Sequence, residues 1–288
     1  MIKIFFFIIT TIPRSLFILF VDVYIYSRIY KLFTSYKITK VNLKIAYPDL
    51  NNTNIELISK LSIRESLISG YETIYSWVRH ASDSNSFIFR IENNFLLRNY
   101  VSQGNGLISV GIHNRSVDML LSWICSQTQT VSLYKKIKNK ALDSFVKNKR
   151  ESGGSICVET SILGVRKIYK ALKENKVICF AADQVPQRGM GEYINFFNRE
   201  AYSTTLVQSL AIKTRSPIVY FYINSNKDNY LTITVEVING KIYNDSKHSQ
   251  LINKGIESII NKRPVDYSWE YKRFKKSKAN QRDPYSGI

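Results

Sequence analysis

Gly106-Leu107-Ile108-Ser109-Val110-Gly111-Ile112-His113-Asn114-Arg115-Ser116-Val117-Asp118-Met119-Leu120-Leu121 carries two structural signals and one chemical one. The apolar run 107–112 predicts a buried strand. Ser116 predicts the N-cap of a following helix, 117–127, with Asp118 in its first turn. A strand that stops at His113 projects the imidazole from the edge of a sheet, and Asp118 is expected to face back toward it. A carboxylate beside an imidazole fixes the tautomer and stabilises the cation formed when the ring takes a proton. The arrangement suits removing a proton from a hydroxyl. On its own, H-x4-D is a common spacing, and an aspartate also simply favours a helix N-terminus. The succession of strand, histidine, cap and aspartate favours the chemical reading.

Outward from this stretch, strands alternate with helices. Strands are expected at 131–134, 177–182, 217–223 and 230–237, and helices at 163–174, 203–214 and 246–262. The residues from 135 to Arg150 form a basic stretch. Upstream, apolar positions recur at helical spacing over 55–78, and 87–99 predicts a short strand with a short helix. The alternation implies an α-β-α sandwich around a mainly parallel sheet. Asp183 follows one predicted strand as His113 follows another. In such sheets, sites form beyond the carboxyl ends of the strands, so the two residues are expected on one edge. No internal repeat is evident.

The composition supports a large buried core: of 288 residues, 44% are hydrophobic and 13% aromatic. The net charge of +19, from 41 basic and 22 acidic residues, favours polyanionic partners such as nucleic acid, anionic lipid or an acidic carrier protein. Cys125, Cys157 and Cys179 lie far apart and read as reduced core residues. With only His80, His113 and His248 besides, no metal site is expected, and no cofactor motif is present. Residues 4–12 and 15–25 are apolar, broken by Pro13, Arg14 and Asp22, and are followed by Arg28, Lys31, Lys37 and Lys40. That pattern predicts an N-terminal hydrophobic membrane helix with a basic flank facing anionic head groups; Pro13 and Arg14 leave open whether it crosses or lies in one leaflet, and a hydrophobic helix packed on the domain is the alternative.

Further motifs follow in order. Asn42-Leu43 precedes Tyr47-Pro48-Asp49-Leu50, and Arg150 stands ahead of Gly153-Gly154. Lys170-Ala171-Leu172-Lys173 leads to Asp183-Gln184, and Phe196-Phe197 precedes Ala201. Pro264, Tyr267, Trp269, Arg273, Phe274 and Lys275 close the series. With His113 and Asp118, this order resembles the bacterial lipid A late (secondary) acyltransferases of the lauroyl/myristoyl type, from the N-terminus to about Lys275. The resemblance implies a glycerophosphate-acyltransferase-like fold. The chain is expected to divide into a membrane-anchoring segment (1–35), a helical lead-in (36–100), an α/β catalytic domain (101–275) and a basic flexible tail (276–288).

The resemblance further implies acyl transfer from acyl carrier protein to a hydroxyl of a lipid A precursor, at the cytoplasmic face of an anionic bacterial inner membrane. His113 and Asp118 are then the catalytic pair. Arg150 and Asp183 are expected to bind substrate, Arg150 by holding a phosphate through its two-pronged guanidinium. Aspartate at 118, where the family usually has glutamate, leaves a glycerophospholipid or glycolipid acyltransferase as the alternative. Membrane-tethered nucleic-acid binding is a more distant one, resting on the charge and on the aromatic and basic residues of 267–275.

Overall fold

A computed structural model describes residues 2–288 except 239, 245–248, 277, 279 and 280. The chain begins with α1 (Ile2–Thr11), α2 (Arg14–Tyr26), α3 (Thr34–Ala46), the long α4 (Asn52–Val78) and α5 (Ala81–Asn85). There follow β1 (Ile88–Glu92), α6 (Asn94–Ser102), β2 (Leu107–Gly111), α7 (Val117–Gln127), β3 (Thr130–Tyr134), α8 (Lys140–Arg150), β4 (Ile156–Glu159), α9 (Ile162–Lys173) and β5 (Val177–Ala181). The last elements are β6 (Gly191–Phe196), β7 (Arg199–Thr204), α10 (Leu206–Thr214), β8 (Ile218–Ser225), β9 (Leu231–Val237) and α11 (Ser249–Lys262).

Seven strands form one sheet in the order β1-β9-β8-β2-β5-β3-β4. Among the described residues only β8 and β9 pair antiparallel within it. Side chains alternate across the sheet as the period of two demands. Leu107 packs on one side with Met119, Leu120 and Trp123 of α7 and Leu97 of α6. Ile108 and Val110 pack on the other with Ile168 and Leu172 of α9, Leu210 of α10 and Ile256 of α11. The α/β sandwich read from the sequence is therefore present.

Several local expectations change. The basic stretch 135–150 contains α8, whose Val146 and Asp143 are buried. The strands β4, β6 and β7 were not expected, and the helix expected over 203–214 begins at Leu206 because β7 runs to Thr204. The start of the helix expected over 246–262, and His248, lie outside the described residues. Within 276–288, expected as a flexible tail, Tyr285 is tied to the core. It is buried, donates to Asn42 Oδ1 at 2.6 Å and accepts from the Phe274 N–H at 3.0 Å.

Among the described residues, no single helix is long and apolar enough to cross a membrane. The 10-residue α1 and 13-residue α2 meet at a 96° bend, and their lengths of about 15 Å and about 20 Å fall short of the ~30 Å hydrocarbon core. Pro13 and the arginine after it account for the break. The hairpin packs on α4, with Phe17 stacked on Tyr71 at 4.5 Å, while Ile4, Phe5, Ile8, Leu19, Phe20 and Val23 are all more than half exposed.

Candidate active site

Strand register builds the centre of the site. β2 and β5 are parallel neighbours, and Gly111 lies opposite Ala181. His113 and Asp183 are each two residues further on, so both side chains leave the same edge side by side. The Asp183 carboxylate grips the histidine twice. Oδ1 lies 2.9 Å from His113 Nδ1, and Oδ2 accepts the His113 backbone N–H at 3.2 Å. Asp183 is 1% exposed. With Asp183 accepting at Nδ1, the ring proton sits there and the lone pair is on Nε2, where the Gln184 side-chain amide donates at 3.0 Å. The imidazole is thereby presented as a base through one defined nitrogen.

Burial pulls the His113 pKa down, but the charge and hydrogen bond of Asp183 outweigh it, and the group titrates above its ordinary value. Burial acts on Asp183 in the opposite sense to the nearby imidazole. The imidazole wins and holds the carboxyl below its usual range. No serine or cysteine hydroxyl or thiol bonds to the imidazole among the described residues. Burial pushes the Cys179 thiol far above its ordinary pKa, which keeps it protonated.

Asp118 takes a different partner from the one expected. Ser116 does cap α7, accepting the Met119 N–H at 3.1 Å, which puts Asp118 in the first turn. Its carboxylate is clasped bidentately by Arg150, Nε to Oδ1 at 2.6 Å and Nη2 to Oδ2 at 2.9 Å. The carboxylate bonded to His113 is thus that of Asp183, and Asp118 reaches the imidazole only through its field. Equally, the two-pronged face of Arg150 is already occupied, which leaves Nη1 as the nitrogen without a protein partner among the described residues. α8 delivers Arg150 from its last turn. Sequence proximity favoured Asp118 as the imidazole's partner; the arginine 32 residues away competes for it better.

His113, Arg150 and Gln184 line one cavity of about 500 Å³, within the range of small-molecule sites. Its wall is largely apolar, with Val117, Leu121, Leu133 and Phe221, and Lys135, Lys275 and Lys276 add positive charge. Among the described residues no cluster of His, Cys, Asp or Glu is grouped to hold a metal.

The closing motif is architectural. Tyr267, Trp269, Arg273 and Phe274 are all buried, and Asn42 Nδ2 donates to the carbonyls of Trp269 and Tyr271 at 2.6 and 2.8 Å. Ser268 N–H donates to His113 O at 3.0 Å, so this segment braces the histidine. The rings of Tyr267, Trp269 and Phe274 lie inside, and the half-buried Tyr271 carries Lys275 Nζ 4.6 Å from its ring centroid.

Three curated relatives match at low identity. A protein named lipid A biosynthesis acyltransferase from Haemophilus influenzae is 23% identical over 243 residues, covering 83% of this chain and 76% of the relative. One named lipid A biosynthesis palmitoleoyltransferase, from Escherichia coli K12, is 23% identical over 244 residues, covering 83% and 78%. The family model for bacterial lipid A biosynthesis acyltransferases matches residues 1–276. With that match spanning nearly the whole chain, and His113 set on its sheet edge above an apolar cavity, the protein belongs to the bacterial lipid A biosynthesis acyltransferase family, whose members are acyl-transferring enzymes.

Proposed function

We propose that the protein transfers a fatty acyl chain from the thioester of acyl carrier protein to a hydroxyl of a lipid A precursor. The observation that carries the reading is the buried Asp183–His113 pair, opening through Nε2 onto a cavity both apolar and positively charged. The acceptor hydroxyl replaces the Gln184 amide at Nε2 and donates its hydrogen bond there. As the oxygen attacks the thioester carbonyl, its proton passes to Nε2, and Asp183 stabilises the resulting cation. Collapse of the tetrahedral intermediate breaks the C–S bond, and the imidazolium returns the proton to the leaving thiolate. A direct transfer needs no acyl-enzyme, in keeping with the absence of a nucleophile bonded to His113 among the described residues.

Arg150, fixed by Asp118, turns Nη1 toward negative charge on the substrate, and Lys135, Lys275 and Lys276 extend that field. The exposed apolar side chains of α1 and α2 seat the enzyme in the inner membrane, with the α/β body on the cytoplasmic side where carrier-bound acyl chains are found. The test uses purified full-length protein with an acyl carrier protein thioester, the corresponding coenzyme A thioester, and a lipid A precursor in mixed micelles. Transfer from the carrier thioester, lost in His113→Ala, is the expected result. Transfer from coenzyme A alone would replace the donor, and equal transfer by His113→Ala would overturn the mechanism.

A further inference from the structure

Two residues beyond His113, Arg115 is 3% exposed and adopts a left-handed backbone with φ of 61°, a conformation usually left to glycine. It is held from several sides. Its N–H donates to Asp266 O at 2.9 Å, Nη1 pairs with Glu65 and lies 3.7 Å from Asp266 Oδ1, and Nη2 donates to Glu72 Oε1 at 2.6 Å. Burial works against its charge, but Glu72, Asp266 and Glu65 more than compensate. The neighbouring Ser116 hydroxyl meets Thr73 of α4 at 2.7 Å. The loop that carries the base is therefore set by its grip on α4.

The same carboxylates hold the N-terminal hairpin. Glu72 Oε1 accepts Arg14 Nη2 at 2.6 Å, so one oxygen of a fully buried side chain joins Arg14 to Arg115, while Oε2 has no hydrogen-bond partner among the described residues. At the other end of α2, Asp22 pairs with Arg64 at 2.5 Å, and Arg64 with Glu65 at 2.7 Å, the second carboxylate on Arg115. Both connections run from the apolar hairpin, through α4, to the loop beside His113.

We propose that Arg14 is a positioning residue for the His113 chemistry, acting through Glu72 and Arg115, so that seating the hairpin on α4 also sets the loop that presents the base. Without Arg14, the buried Glu72 carboxylate keeps one partner and recentres on Arg115, drawing that guanidinium away from Glu65 and Asp266 and the loop with it. The rate arm below rests on the proposed acyl transfer; the spectroscopic arm does not.

Full-length wild type, Arg14→Gln, Arg14→Lys and Glu72→Gln are labelled with 15N-histidine in micelles, and the His113 signal is assigned with His113→Asn. The expected result for Arg14→Gln is a shifted or doubled His113 imidazole signal. With it goes a fall in kcat of about tenfold to a hundredfold at unchanged donor KM. Arg14→Lys restores both, and Glu72→Gln reproduces the loss if it folds. A His113 signal and kcat unchanged in Arg14→Gln overturn the proposal. So does a lowered melting temperature with an unchanged His113 signal, which would make the ion pair purely structural. Should wild type show no transfer, the proposed function fails while the histidine signals still decide the coupling.

Discussion

Asp183→Asn isolates what the carboxylate does, because the amide is nearly isosteric and cannot satisfy both of its contacts. Asp183 accepts two hydrogen bonds from His113, from Nδ1–H and from the backbone N–H. If the asparagine oxygen faces Nδ1, its NH2 meets the backbone N–H, donor against donor. If it flips, the NH2 donates to Nδ1 and the ring proton moves to Nε2, removing the lone pair that must accept the substrate proton. In either orientation the charge that stabilises the imidazolium is gone. In serine proteases the equivalent change lowers kcat about 10⁴-fold. Here at least about 10³-fold is expected, equal to about 4 kcal/mol of barrier.

The pH dependence gives an independent sign. A base works only when unprotonated, so the wild-type rate rises with pH through a midpoint above the ordinary histidine value, since Asp183 overcomes burial. In Asp183→Asn burial acts unopposed by that carboxylate, and the midpoint moves down. Stability shifts correspondingly. The raised His113 pKa stabilises the fold fully below the ordinary histidine pKa, and this is lost as pH rises through the folded value. The lowered Asp183 pKa stabilises it above the ordinary aspartate pKa, and this is lost as pH falls through the folded value. Steady-state kinetics from pH 5 to 9 provide the assay. A variant with kcat within about tenfold of wild type and an unmoved midpoint would refute the assignment of Asp183.

Arg150→Lys keeps the charge but loses the fork that engages Asp118, so kcat should fall about 100-fold; unchanged kinetics would remove Arg150 from the site. Leu19→Asp with Phe20→Asp places two charges on the exposed face of α2 and should reduce partitioning into anionic vesicles at least about tenfold in a sedimentation assay. Equal binding would show that this face does not meet lipid. Tyr285→Ala should cost about 3 kcal/mol in urea unfolding, because a buried ring and its bond to Asn42 are lost together; a loss below about 1 kcal/mol would return the C-terminal segment to a flexible tail.

Features set by neighbouring residues were legible in the sequence. The strand before His113, the Ser116 cap and the helix behind it all follow from local pattern. The shared edge of His113 and Asp183 followed from strand alternation, but their pairing did not, because two other strands separate β2 from β5 in the chain and only the register Gly111–Ala181 aligns them. Asp118 was given to the imidazole because nothing local reveals that Arg150 would claim it. Arg115 gave no signal in sequence either. An arginine in a polar loop reads as surface, and its burial depends on Glu65 and Glu72, which lie two turns apart on the same face of a helix some 40 to 50 residues earlier. The hairpin β6–β7 was missed because its polar residues, Glu192, Asn195 and Glu200 among them, dilute the alternation that marks a strand.

The account turns on acyl transfer to a lipid A hydroxyl by His113. Mass spectrometry of lipid A tests this in a source strain lacking the gene, complemented with wild type or with His113→Ala expressed at the same level. Wild type should restore a species heavier by one acyl chain, and His113→Ala should leave it missing. Lipid A identical with and without the gene, or restored equally by His113→Ala, would contradict the account.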